Sequence, residues 1–449
     1  YLTRMCSIAG TTLTMPTDSA GIVGNGFLTS GILYTGAGVA IQTVGTSYSL
    51  KQTFENFKLS LTGAGATGLY LYTAWNTNVN RVWFDSQNSP QKCLVIDSKY
   101  PAYGDIIYGT WWTSVRDCLF LHTTETFQDV YGIILKGGWK STMAGVVGAY
   151  IVGETVVGSY NGATGVVQQY AGAVLYVALN GDGIFQDGET LTGQTSLETG
   201  TVSNVANWSY SYGNPNATDI EGNEFKRMHI PVKALIGNSI TLRNNWYERF
   251  LAFGELIAGE SNRSVDSRFE GYASTYLTRK VVVNTIVGTF EIGETVTGTI
   301  FLAPEIAPTS ATVTYWNGKY GYMMVTDTSD DVTTPGQFTV GEVLTGSTSG
   351  ATAVVVSDTQ RAPAFLVETT GINAYVRCGQ HTHFGDTLTQ YSVCDQLTDS
   401  TSGLTRVFPD SDMLSVDAMR ALTFWSRDEP SSRFVLYAIG EKRYGPGSV

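Results

Sequence analysis

The chain of 449 residues has five cysteines, four histidines and 12 prolines, and its shortages exclude several classes of protein. Cys6, Cys93, Cys118, Cys378 and Cys394 are odd in number and lack framework spacing, so neither a disulfide scaffold nor a zinc ribbon is expected. They read as reduced thiols packed like small hydrophobes, which points to folding in a bacterial cytosol rather than to secretion. Positive charge is also short: 27 Lys and Arg against 39 Asp and Glu give a net charge of −12 and a pI near 4.8. Nucleic acid and anionic membranes are poor partners for such a chain, whereas a neutral or weakly charged polymer suits it. No run of about 18 apolar residues exists, so membrane insertion is not expected. No long segment keeps a helical period before the C-terminal tail. The chain opens at Tyr1 without Met or a signal-like segment, and we expect an N-terminal part to be missing.

What is plentiful is glycine (50), tyrosine (25) and a recurring strand signature. Between Ala217 and Tyr272 the chain reads Ile220-Glu-Gly-Asn-Glu-Phe225, Leu242-Arg-Asn-Asn-Trp-Tyr247 and Val265-Asp-Ser-Arg-Phe269, with starts 22 and 23 residues apart. Each unit has an apolar start, an Asn or Ser near its middle and a terminal aromatic. Upstream, Phe54-Glu-Asn-Phe-Lys-Leu59, Val79-Asn-Arg-Val-Trp-Phe84 and Val115-Arg-Asp-Cys-Leu-Phe120 carry the same signature. A coil of about 22 residues accommodates three short strands and three bends, each stacking in parallel on the coil below at roughly 4.8 Å. The expected fold is therefore all-β: a single-stranded parallel β-helix, right-handed because parallel crossovers are. Apolar starts and terminal aromatics point inward, and the Asn ladders its amide along the stack.

Two segments interrupt the period and resemble each other. One half-motif occurs four times, as Ile151-Val-Gly-Glu-Thr-Val-Val-Gly158, Phe185-Gln-Asp-Gly-Glu-Thr-Leu-Thr-Gly193, Phe290-Glu-Ile-Gly-Glu-Thr-Val-Thr-Gly298 and Phe338-Thr-Val-Gly-Glu-Val-Leu-Thr-Gly346. Gly-Glu between β runs marks a turn, so each insert should be a small β module with internal pseudo-twofold symmetry. The expected divisions are N-terminal coils over 1–142, a first module over 143–206, central coils over 207–280, a second module over 281–360, C-terminal coils over 361–403 and a cap or trimerisation segment over 404–449. Within the last, 412–425 could form a short helix, and Arg433-Phe-Val-Leu-Tyr-Ala-Ile439 reads as a strand.

The Gly-broken opening, Gly24-Asn-Gly26 and Tyr34-Thr-Gly-Ala-Gly38-Val-Ala-Ile41, followed by Phe54-Glu-Asn-Phe-Lys-Leu59, resembles the pectate-lyase-like β-helix domain of bacteriophage tailspikes. The resemblance covers roughly 1–142 and 207–280, and the inserted half-motif is similar to a repeat of phage tail and fibre proteins. It implies a homotrimer on the virion tail, attached to tail or baseplate through the missing N-terminal part, that binds and depolymerises a bacterial surface polysaccharide, capsule or lipopolysaccharide, at the host cell surface. The mechanism would be hydrolysis by two carboxylates, or β-elimination on a uronate polymer. The rivals are a non-enzymatic receptor-binding or structural fibre and a bacterial polysaccharide lyase; the four half-motifs argue against the lyase.

For chemistry, the outward column one residue after each apolar start is Asn80, Arg116, Glu221, Arg243 and Asp266. In register, Glu221 and Asp266 would lie two coils apart, roughly 9 to 10 Å, with Arg243 between them. That is near the upper end of the separation of about 6.5–9.5 Å in inverting glycosidases. A solvated salt-bridge ladder gives the same pattern. A second set is Glu224, Glu248 and Glu270 beside Trp246, Tyr247 and Phe269, where aromatic faces adjoin carboxylates as a sugar site requires; the alternative is that the aromatics face inward. Asp117 and Asp85 are weaker members of that edge. The loop Lys99-Tyr-Pro-Ala-Tyr-Gly-Asp-Ile-Ile-Tyr-Gly-Thr-Trp-Trp112, with Tyr103, Trp111 and Trp112, is either a sugar-gripping edge or a contact with a neighbouring subunit. His381, His383 and Asp386 make a weak metal set, and Asn180-Gly-Asp-Gly183 with Glu189 a poor calcium loop. No motif implies a cofactor.

Overall fold

Three columns of parallel strands carry the fold in the computed structural model. It describes residues 1–44, 49–98, 109–124, 129–159, 163–180, 185, 188–203, 215–235, 237–250, 254–256, 262–265, 267–270, 278–299, 309–318, 321–327, 338–359, 365–367, 376–378, 381–384, 396–398, 405–407, 421–424 and 434–437. Among these residues every regular element is a strand, so no helix is long and apolar enough to cross a membrane. The first column runs through Gly21–Val23, Thr53–Leu61, Asn78–Ser86, Ser114–Arg116, Asn216–Glu221, Asn238–Arg243, Asn262–Val265 and Val376–Cys378. The second runs from Met5–Ser7 through Gly31–Tyr34, Leu119–His122, Glu224–Met228, Trp246–Phe250 and Ser267–Glu270 to His381–Phe384; both belong to one 17-stranded sheet because Thr53–Leu61 and Asn78–Ser86 span the two. The third is an eight-stranded sheet from Leu13–Thr14 to Phe365–Val367.

The corners explain the Asn near the middle of each unit. Between the first and second columns, successive turns of chain place Asn56, Arg81, Asp117, Gly222 and Asn244 at φ between 50° and 68°. One left-handed residue per corner turns the strand without breaking the stack, and Asn, Asp and Gly adopt that conformation at least cost. The next residue in two of these units, Asn223 or Asn245, is buried and does the laddering. Asn223 Nδ2 donates to Val115 O (2.9 Å) and Asn245 Oδ1 (3.1 Å), Asn223 Oδ1 accepts the Cys118 amide (3.0 Å), and Asn245 Nδ2 donates to Ile220 O (2.9 Å). Each amide thus satisfies polar backbone that the corner would otherwise leave buried and unpaired.

Inside the stack, Phe54, Val79, Val115, Ile220 and Leu242 are fully buried in one column. The terminal aromatics Phe84, Phe120, Phe225 and Tyr247 stack face to face with centroids 4.7, 4.6 and 5.1 Å apart. Burying such rings is the main favourable term available to a fold without helices. Cys93 and Cys118 are free thiols in this core, where burial pushes the Cys118 thiol up to about 12, while Cys6 is exposed.

Each insert closes into a six-stranded antiparallel barrel, formed by strands within Gly138–Val202 and within Thr278–Thr359. Their first strands begin at Gly138 and Thr278, a few residues earlier than the sequence pattern indicated, and Trp139 already packs in the first barrel's core. The repeated Gly-Glu is the clasp between pseudo-symmetric halves. Glu154 accepts from the amides of Ile151 (2.6 Å), Thr195 (3.0 Å) and Ser196 (2.8 Å); Glu294 accepts from the amides of Glu291 (2.7 Å), Thr348 (3.0 Å) and Ser349 (2.9 Å). The glycine closing each half-motif makes room for the other half's carboxylate: a Cβ on Gly158 would lie 1.8 Å from Glu189 Oε1, and one on Gly298 2.4 Å from Glu342 Oε2. The same contact explains Glu189, which is buried in the clasp.

Two expectations are corrected. Leu242 pairs with Ser264 and Arg243 with Val265, so the spacing stays at 22 and Val265 lies one position past the apolar column. The segment expected as a C-terminal helix contains the strand Ala421–Phe424 instead, which runs antiparallel to Val376–Cys378 and to Phe434–Tyr437. That hairpin covers the end of the first column, where the last parallel strand would otherwise offer unpaired backbone.

Candidate functional site

Outward-facing side chains on the first column form an alternating charge ladder. Arg116 pairs with Glu221 and Glu221 with Arg243 in the backbone register. Glu221 Oε2 lies 2.7 Å from Arg243 Nη2 and 3.6 Å from Arg116 Nε, and Arg116 also reaches Asp219 at 3.4 Å. The hydrogen bond from Arg243 and the charges of both guanidiniums outweigh burial and hold the Glu221 carboxyl below the usual carboxylate range. Glu221 is therefore an ionised group, unsuited to donating a proton. Asp266, its expected partner, lies outside the described residues; the register puts Val265, and not Asp266, opposite Arg243.

The second set is joined through a cation the sequence reading passed over. Lys226 Nζ lies 2.6 Å from Glu224 and 3.2 Å from Glu248, and 4.9 Å from the centre of the Trp246 ring. Burial lowers the affinity of Lys226 for its proton, but the two carboxylates more than offset it. Trp246 is half-buried on this outer face, whereas Tyr247, expected to hold substrate, is fully buried in the aromatic stack. Side chains alternate between faces along a strand, so neighbours cannot both face out. Glu270 occupies the register position opposite Glu248. Asp85 is buried beneath the same face, held by Lys58 (2.8 Å), Ser60 (3.0 Å) and Gln87 (2.6 Å); Asp117 is exposed on the corner.

At the corner before the first column, the aromatic loop delivers two of its three expected residues to one place. Trp111 stacks on Trp75 with centroids 5.1 Å apart and planes 3° from parallel, and Trp112 stands edge-on to both at 5.6 and 6.1 Å. Trp112 is 53% exposed and occupies the corner's left-handed position at φ 55°, aligned with Asn76 and Ala217 in the adjoining turns. Trp75 Nε1 donates to Gly109 O at 2.8 Å, tying the stack to the backbone two residues before Trp111. Tyr103, Asp386 and residues 181–184 lie outside the described residues, as do the side chains of His381 and His383. Among the described residues no cluster could hold a metal ion.

A recess that sequence reasoning missed lies where both barrels meet the stack. Its floor carries Asp129, Tyr131 and Lys233, its cavity measures about 740 Å³, and the barrels line its walls. His229 Nδ1 lies 3.0 Å from the Asp129 amide nitrogen and 3.5 Å from Asp129 Oδ1, accepting from the amide when neutral and donating to the carboxylate when protonated. His229 is the largest influence holding the Asp129 carboxyl below its ordinary value, with burial opposing and Lys233 assisting. Asp129 and His229 are 100 residues apart with a whole barrel between them, so no local spacing announces the pair. By contrast Ser86 and His122, at 2.8 Å, have the spacing of a nucleophile and base but are both fully buried and closed to substrate.

No family model and no curated protein matches the chain. Among solved structures it is similar to ORF18 of Geobacillus virus E2, at 8% identity over 90% of this chain and 78% of that one, with a TM-score of 0.20, a likeness that carries no argument about either fold or activity.

Proposed function

We propose that the three columns wind as one right-handed β-helix and that the chain is a bacteriophage tailspike, homotrimeric on the virion tail, which binds a bacterial surface polysaccharide during host adsorption. The observation that carries binding is the Trp75–Trp111–Trp112 cluster. Flat indoles fixed on a rigid corner, one of them half exposed, offer pyranose faces apolar area at little entropic cost, with Asn76 and Asn216 beside them for hydroxyls. Trp112→Ala should weaken binding of whole capsule or lipopolysaccharide about tenfold, the equivalent of one aromatic contact of roughly 1.4 kcal/mol. Unchanged affinity in Trp111→Ala and Trp112→Ala together overturns the reading. Light scattering tests the trimer.

Depolymerisation is the second reading, favoured by the ionised state of Glu221, which a general base or nucleophile needs. Asp266 is the candidate acid. Following reducing ends and unsaturated uronate absorbance in a digest of the polymer distinguishes hydrolysis, β-elimination and inert binding. Glu221→Gln and Asp266→Asn should each stop cleavage while keeping binding, and full activity in both discards the pair.

A further inference from the structure

We infer that the recess between the two barrels and the stack is a second saccharide site, for a short neutral or amino-bearing segment and not for a uronate. The inference rests on the polysaccharide-binding reading but uses a different surface. Three parts of the chain build the recess. The stack contributes Tyr131 and the buried Lys233 as floor, the first barrel contributes Ser159 and Thr192, and the second contributes Glu291. The barrels are in contact at its rim, where Thr289 Oγ1 donates to Ser159 O at 3.2 Å. A cavity of about 740 Å³ lies within the range of roughly 300–1,000 Å³ typical of small-molecule sites.

The chemistry of the lining selects the ligand. A half-buried tyrosine ring, the hydroxyls of Ser159 and Thr192 and two carboxylates offer one apolar face and several hydrogen-bond partners, as a sugar ring requires. The Lys233 ammonium lies 5.7 Å from the Tyr131 ring centre and within the field of Asp129, so its charge is already engaged by the floor. With Asp129 and Glu291 against Lys233, the lining carries an excess of one negative charge, which repels a uronate and accepts a neutral ring or an ammonium. Thr192 and Glu291 belong to the repeated half-motifs and Ser159 directly follows one, so both modules border the recess through the same repeat.

The test uses the full chain and an array of defined di- to hexasaccharides from bacterial capsules and lipopolysaccharides, followed by calorimetry on the tightest one. Tyr131→Ala in the stack, Thr192→Trp in the first barrel and Glu291→Gln in the second should each weaken a short neutral or amino-bearing oligosaccharide, the first two at least tenfold. Trp112→Ala should leave that short ligand unaffected while still weakening whole polymer. Wild-type affinity in both Tyr131→Ala and Thr192→Trp, with Trp112→Ala still weakening the polymer, overturns the second site and leaves the binding reading standing. Preference for uronates in the recess overturns the charge argument, and failure of every glycan to bind overturns both.

Discussion

Truncating Asn223 to alanine tests whether the amide ladder holds the corners together. The substitution removes the acceptor of the Cys118 amide and two donations, to Val115 O and Asn245 Oδ1. Leaving one buried amide unsatisfied costs about 1–3 kcal/mol, and each net hydrogen bond lost adds roughly 1 kcal/mol, so a local loss of about 3 kcal/mol is expected. That corresponds to about a hundredfold faster exchange of the Cys118 amide if local opening governs exchange. Hydrogen exchange read on the segment 116–119 measures it directly. Asn245→Ala should act one turn along, on the Asn223 amide, and the double variant should lose less than the sum because the two side chains share a bond. Asn223→Asp should be worse than Ala at neutral pH, since it turns donors into acceptors facing a carbonyl. Acceleration of less than about threefold in Asn223→Ala, with the chain folded, would refute the ladder as a source of stability.

Three further outcomes follow from the barrels and the charged face. Gly158→Ala should destabilise the first barrel by about 1–3 kcal/mol, the usual penalty of overpacking, and adding Glu189→Ala should recover part of the loss in a thermal melt because the clashing carboxylate is gone. Burial opposes ionisation of Glu154 and Glu294, yet amide donors, foremost Ser196 and Ser349, hold both carboxyls below their ordinary value of 4.5. Their stabilisation is then complete above that value and lost as pH falls through the depressed folded value, so acid should loosen the barrels first. Emission of the buried Trp139 and Trp316 reports it, and glutamine at both positions should flatten the dependence. Lys226→Met should cost under about 1 kcal/mol, less in high salt, because the ion pairs with Glu224 and Glu248 are partly exposed; a larger, salt-insensitive loss in urea unfolding would contradict that.

Much of the fold was legible because stacking repeats one physical demand at every turn. Ile220 and Leu242 must both be apolar, since the register stacks them in one core column, and Phe225 and Tyr247 must both be planar for the same reason. The slip at Val265 shows what governs register. Apolarity alone favoured Val265 as the column member, but the interval from column to aromatic is five residues in Ile220–Phe225 and Leu242–Tyr247, and counting back from Phe269 gives Ser264, as the ladder has it. A corner of fixed geometry takes a fixed number of residues, and that constraint outranks the side chain's preference. The four half-motifs were legible for a related reason: a carboxylate clasp and the glycine that accommodates it must recur together in each half.

The candidate sites were far less legible, and the reason lies in how a stacked chain assembles a surface. Along a column, neighbours in space are one turn apart in sequence, so the ladder Arg116, Glu221, Arg243 could be anticipated as a row of charges, and it is one. Which of Trp246 and Tyr247 faces outward follows only from parity after the corner, and two adjacent aromatics conceal it. Around the recess even the one-turn rule fails. Asp129 meets His229 across a turn lengthened by an entire barrel, and Asp129 shares the recess with a second barrel inserted in a later turn. An insertion leaves the register of the stack intact while bringing remote side chains over it, so new chemistry accumulates at such junctions without altering the strand pattern below. In a chain of this design the junctions of inserted modules, and not the periodic coils, are where unannounced sites should be sought.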